Sequence, residues 1–279
     1  MKLILKVVVS IIWMIASTLN AQDFQGQATY KTKRKIDIKL DSTQMNTEMH
    51  QRMMEMVKKQ FEKTFILNFN KQESSYKEDI PLEGQRVGMG MEMVMVNTSG
   101  SDNLYKNTKE GRYTSQNEVF GKVFLIKDDL EELDWKLEKE TKNIGEYTCF
   151  KATLKREVEV MESGMSVNGD KEFDDEVRME EITVTAWYTP QVPVNNGPAN
   201  YHGLPGLILE VNDGRETIIC SKLVINPEKE VSISEPSKGK LVSQSEYEEI
   251  VDKKLQEMEE NRRSNHDDDG QTIEIRIGG

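Results

Sequence analysis

The sequence predicts a mainly β protein: one curved antiparallel sheet or a partly open β-barrel, carrying two amphipathic helices. Three observations carry that expectation. Most of the 279 residues alternate apolar and polar side chains with the two-residue period of a half-buried strand. Tight turns separate successive stretches, so neighbours pair antiparallel. The strand–helix–strand rhythm of a parallel sheet occurs nowhere.

Strands are expected over 24–38, 64–70, 122–128, 134–141 and 147–160, then over 181–189, 206–213 and 216–226. Asn143 to Gly145 forms one turn between them, and Asn212-Asp213-Gly214 another. The Asp-Gly pair supplies the positive φ values of a primed hairpin turn. The first helix is expected over about 43–63, where Met45, Met49, Met53, Met56 and Gln60 recur at helical spacing with no Gly or Pro between them. A second is expected over about 245–263. There Ser245 and Glu248 make a capping box ahead of a stripe of Tyr247, Ile250, Val251, Leu255 and Met258. Residues 163–180 are polar and glycine-bearing, and read as a long hairpin loop or mobile insertion. A short strand, "TIEIRI", ends the chain. No internal repeat is present, so residues 22–279 read as a single β-rich domain. Apolar residues make up 36% against 31% charged, which sets a modest core for that length.

Residues 1–21 have the layout of a secretory signal peptide: Lys2, an apolar run from Val7 to Ala16, and a small-residue exit at Ala21. The run is shorter than the roughly 20 apolar residues that span a bilayer. The expectation is export to the periplasm or the extracellular space, with no membrane span after cleavage. Neither cysteine lies near the cleavage region, which excludes a lipid-modified cysteine at the new N-terminus. Loss of Lys2 and Lys6 takes the formal net charge from −12 to −14. Such a surface excludes nucleic acid, whose phosphates need basic stripes, and disfavours anionic lipid. Its simplest consequence is solubility.

Cys149 and Cys220 are the only cysteines, and both fall in strand-like stretches. In an oxidising compartment an even count favours a disulfide, with two buried thiols as the alternative.

The stretch "YHGLPGLILEV" (201–211) follows a span with prolines at 190, 193 and 198 that cannot be regular helix or sheet ladder. Gly203, Leu204, Pro205 and Gly206 form its turn. Pro205 and Gly206 satisfy a type II turn, Pro presetting φ and Gly taking the positive φ. The turn redirects a long ordered loop into a strand, and needs no ligand to do so. "GPANYHGLPGLILEV", with "AWYTPQVP" and "WKLEKETKNIGEYTCFKAT" before it, resembles the GLPGLI family of exported Bacteroidetes proteins. That resemblance implies compartment and architecture. It implies no activity and no catalytic residues.

Methionine is the sharpest chemical candidate, at fifteen residues. Met89, Met91, Met93 and Met95 alternate, as on one face of a strand, and Met45, Met49 and Met53 stack along one helical face beside His50. Met is first an adaptable apolar filler. The same clusters suit an apolar-ligand surface, or Cu(I) through soft thioethers. His202 reads as a surface or structural residue. "HDDDG" (266–270) reads as a solvated acidic turn, because it lacks the alternate spacing and distal Glu of an EF-hand loop. No catalytic constellation, metal set or cofactor motif can be named. Two function classes remain: a non-enzymatic carrier holding an apolar ligand between sheet and helix, or an envelope module docking a protein partner through the Pro-rich loop. A minor third is Cu(I) binding by the methionines.

Overall fold

The computed structural model describes residues 24–35, 62–80, 103–161 and 177–264, and the statements below concern those residues. They form twelve strands and one helix. The strands are β1 (Gln25–Arg34), β2 (Thr64–Asn70), β3 (Glu73–Glu78), β4 (Asn103–Asn107), β5 (Arg112–Val119) and β6 (Lys122–Asp129), then β7 (Lys136–Ile144), β8 (Tyr147–Met161), β9 (Val177–Thr189), β10 (Leu207–Asn212), β11 (Glu216–Ile225) and β12 (Lys240–Val242). The helix, α1, spans Gln244–Ser264. All twelve strands join one sheet in the order β12-β6-β5-β4-β3-β2-β1-β11-β10-β9-β8-β7. Its edges, β7 and β12, do not pair with each other, so the sheet is open and the barrel alternative falls away. It is also mixed, because β12 lies parallel to β6.

Directly opposed residues share a face of the sheet. Tyr30 faces Phe65, Leu67 faces Tyr76, and Tyr76 faces Leu104, so β1 to β4 lay an apolar band along one face. Within it Phe65 stacks on Tyr76 with ring centroids 4.8 Å apart. Farther along, the same face carries Ser115, Ile126 and Phe124. There α1 closes the core, with Tyr247 and Val251 packing on Val119, Phe124, Ile126 and Val242.

The opposite face of β2 to β6 is crossed by a strap, residues 226–239, which carries the chain from β11 to β12. Asn68 and Ser75 donate to Ser232 O at 3.1 and 3.5 Å. Glu235 accepts from Thr114 Oγ1 at 2.7 Å and pairs with Arg112 and Lys127 at 3.0 and 3.1 Å. β3, β4 and β5 are thus buried on both faces, although Ser74, Ser75, Lys106, Asn107, Thr114, Ser115 and Asn117 are among their buried side chains.

Several expectations need correction. Only one helix is described; of the stretch expected to form the other, 43–63, Glu62 and Lys63 are described and are not helical, and the rest lies outside the described residues. The capping box is Ser243 with Glu246: the Glu246 amide donates to Ser243 Oγ at 3.2 Å and the Ser243 amide to Glu246 Oε2 at 2.8 Å. Both "SQSE" and "SEYE" fit the pattern. The box falls where the chain leaves β12, which anchors Gln244 N on Asp128 at 3.1 Å. Ser243→Ala is expected to cost about 1 kcal/mol and Ser245→Ala only a few tenths in denaturant melts. The reverse order would restore the Ser245 cap.

Of the stretch 163–180, expected as a loop, Val177 to Glu180 belong to β9, and 163–176 lies outside the described residues. The β10–β11 hairpin exists, but only Gly214 takes a positive φ there, and Asp213 Oδ1 caps the loop by accepting from the amides of Arg215 and Glu216. The primed-turn dihedrals occur instead at Phe120 and Gly121, between β5 and β6.

Cys149 and Cys220 are not bridged. They sit on β8 and β11 with β9 and β10 between them, and do not approach closely enough to bridge. Burial pushes both thiols up to about 11, so neither forms a thiolate near neutral pH. A thiol assay is expected to count two reactive groups after denaturation without reductant, and almost none before it. A count of zero after denaturation would establish the bridge.

Candidate functional site

Between β9 and β10 the chain makes a seventeen-residue excursion, 190–206, which lies against the sheet. Val192, Val194, Asn196 and Leu204 point inward and are buried, while Pro190, Gln191, Pro193, Asn195, Asn200, Gly203 and Pro205 are exposed. The inward side chains are structural: Val192 and Val194 join the core formed by Tyr30, Leu67 and Leu209, and Leu204 joins that of Leu154, Val184 and Ile208.

The loop's backbone is bonded accordingly. The Leu207 amide donates to Val192 O at 3.0 Å and the Ile208 amide to Asn196 O at 3.0 Å, so the loop substitutes for a neighbouring strand along the start of β10. The type II turn expected at Leu204–Leu207 is therefore not closed by the Leu207 amide. Gly206 N donates to Leu204 O at 2.8 Å, a three-residue turn centred on Pro205. Gly206 is needed for lack of space: a Cβ there would lie 2.3 Å from Thr189 O and 2.5 Å from Thr189 C. Gly203 holds φ at 95° and its amide donates to Asn195 Oδ1. The Trp135 indole donates to His202 O at 2.8 Å, and its ring lies 6.3 Å from that of Tyr201.

Beneath the loop sits Lys106, on the inward face of β4 and fully buried. Its ammonium nitrogen lies 2.9 Å from Gly197 O, 2.7 Å from Ala199 O and 3.2 Å from Tyr201 O. No described carboxylate pairs with it. Burial without a counter-charge disfavours the charged form and lowers Lys106 to about 7. His202 is lowered to about 4, chiefly by burial and then by the Lys106 charge, so it is neutral at neutral pH and unsuited to take part as a cation. Burial raises Tyr201 to about 12.

The four turn residues expected as a unit, Gly203 to Gly206, are together in this site. Cys149 and Cys220 contribute to the adjoining core. Met45, Met49, Met53, Met89, Met91, Met93 and Met95 lie outside the described residues, as do His50 and "HDDDG". Among the described residues no group of three His, Cys, Asp or Glu could hold a metal ion, and no described helix is long and apolar enough to cross a membrane. Lys106 escaped the sequence reading. Its only local signal is its spacing of two from Leu104, which places it on the apolar side of a strand.

Residues 135–210 match a family model described as a protein of unknown function (Porph_ging), a domain found in Bacteroidetes proteins. The match runs from Trp135 through β7, β8, β9 and the loop into β10, and so contains the site apart from Lys106. No curated protein matches. Two solved structures of PNGF-II, in C2 and P21 crystal forms, resemble the fold with TM-scores of 0.47 and 0.46 at 14% identity. They cover 82% and 81% of this chain, which spans only 32% and 33% of theirs.

Proposed function

We propose that the protein is a non-enzymatic interaction module of the bacterial envelope, of the GLPGLI type and exported by its N-terminal signal. In this reading it docks a protein partner through the outward side of the 190–206 loop. One observation carries it: the loop is held from three directions while Pro190, Pro193, Asn195, Asn200 and Pro205 remain exposed. Lys106 binds its carbonyls, Val192, Val194 and Leu204 are sunk in the core, and Trp135 fastens His202. A surface ordered before binding loses little entropy on association, and a long loop with no secondary structure of its own is commonly a functional one. The same observation favours docking over the carrier reading, because among the described residues the loop and α1 cover apolar side chains of the sheet.

A photo-crosslinking side chain at Pro193 or Asn200 is expected to capture one discrete partner in intact envelopes, and the same group at exposed Lys31 to capture none. Equal capture at both places would remove the loop from the account. An apolar ligand in the native mass of the purified protein would return the carrier reading, and stoichiometric copper would return the methionine reading.

A further inference from the structure

We infer that Lys106 is a proton-sensitive latch for the 190–206 loop, which closes over the neutral amine and opens more readily once the amine takes up a proton. The inference deepens the docking reading and rests on it for its biological use, but the latch itself is tested without any partner.

The geometry comes first. A fully buried amine meets three loop carbonyls and no carboxylate. A neutral amine has two hydrogens, enough for the contacts at 2.7 and 2.9 Å, while Tyr201 O at 3.2 Å is the one left without a donor. A proton added from solvent supplies a third donor and strengthens the other two contacts, but it buries a charge with no counter-charge among the described residues, and burial holds the amine at about 7.

The groups around Lys106 do not titrate in competition with it. Across the sheet it faces Ser74 on β3 and Tyr113 on β5. From the loop it meets Tyr201 and the charge-coupled His202. Tyr113 and Tyr201 are raised to about 12 and stay neutral, and His202, lowered to about 4, is neutral above that. Near neutrality Lys106 is therefore the group in this neighbourhood that changes charge.

The direction follows from linkage. With the loop closed Lys106 titrates near 7, and with the loop open and the amine in water it returns toward 10.5. Between those values the open form holds more protons, so closure strengthens as pH rises and weakens on acidification. Below about 7 both forms are protonated and the dependence ends.

Hydrogen exchange of the mature protein tests this, with protection factors corrected for the intrinsic pH dependence. Protection of the Leu207 and Ile208 amides is expected to rise by up to about tenfold per pH unit from pH 7 to 9 and to be level from pH 5.5 to 6.5. The Ala152 and Ala186 amides, opposite each other in the β8–β9 ladder, are expected to show no such slope. Lys106→Met, which cannot titrate, and Lys106→Arg, which stays charged, are expected to lose the slope. Direct NMR titration of the wild-type Lys106 side chain guards against a variant that fails to fold, with an expected midpoint near 7. A flat wild-type profile, a slope that survives in Lys106→Met, or a midpoint near 10.5 would overturn the latch.

Discussion

Gly206→Ala is expected to destabilise the protein by about 4 kcal/mol, near the upper end of what single substitutions do, and to lower Tm by roughly 10 °C. The cause is steric. The new methyl would sit 2.3 Å from Thr189 O, 2.5 Å from Thr189 C and 2.8 Å from Pro190 N. All three are backbone atoms at the end of β9, where no side chain can rotate away. Relief requires either the loop or the β9–β10 ladder to shift, and the ladder is fixed by the Leu207–Thr189 and Ile208–Tyr188 pairs. Gly214→Ala is the control. It also holds a positive φ, at 92°, but its Cβ would meet nothing within 4 Å, so its cost should be near 1 kcal/mol from backbone strain alone. Equal costs for the two variants in denaturant melts would show that Gly206 is needed for its dihedral angle and not for the close approach.

Leu204→Ala should cost about 3 kcal/mol. Leu204 is 1% exposed although it belongs to a loop, and it packs with Ile208, Tyr201, Leu154 and Val184. Truncation leaves a void that Trp135 and Tyr201 cannot fill without giving up their positions on the loop. Leu204→Met keeps the volume and should cost less than about 1.5 kcal/mol. A Leu204→Ala cost under about 1 kcal/mol would mean that the loop rests on the sheet without being part of its core.

Both variants fall in the short stretch that carries the family resemblance, and the structure gives those residues a common physical task. Gly203 turns the chain beside Trp135, Leu204 anchors it, Pro205 bends it, Gly206 lets it pass the end of β9, and Leu207 and Ile208 continue as the strand that the loop itself pairs with. These are requirements of shape.

Some of this was legible in the sequence. β2 falls at Thr64–Asn70, where Phe65, Leu67 and Phe69 recur every second residue and are the buried ones, Ile66 being the one apolar neighbour between them. β8 and β11 were readable for the same reason, and β10 from the apolar run that follows the Pro-Gly turn. β3, β4 and β5 were not, because their inward residues include Ser74, Lys106 and Ser115, and their other face is covered by a strap from more than a hundred residues away. Burial of that kind is settled by long-range partners and leaves no local period. The turn at Pro205 was half legible. The Pro-Gly pair announced a reversal, but Val192 O, fifteen residues earlier, takes the amide that a type II turn would have used. Lys106 shows the limit most clearly, since beyond its spacing from Leu104 nothing in its sequence neighbours separates it from a solvent-facing lysine, and only the return of the 197–201 backbone makes it part of a site.

The central claim is that the exposed loop is as rigid as the sheet beneath it. Backbone 15N relaxation on the protein tests this most directly. Order parameters for Val192 to Leu204, prolines excepted, are expected near 0.85, level with β8 and β9. Values below about 0.6 across Asn195 to Gly203 would contradict the account, because a loop that mobile is neither latched by Lys106 nor preformed for a partner.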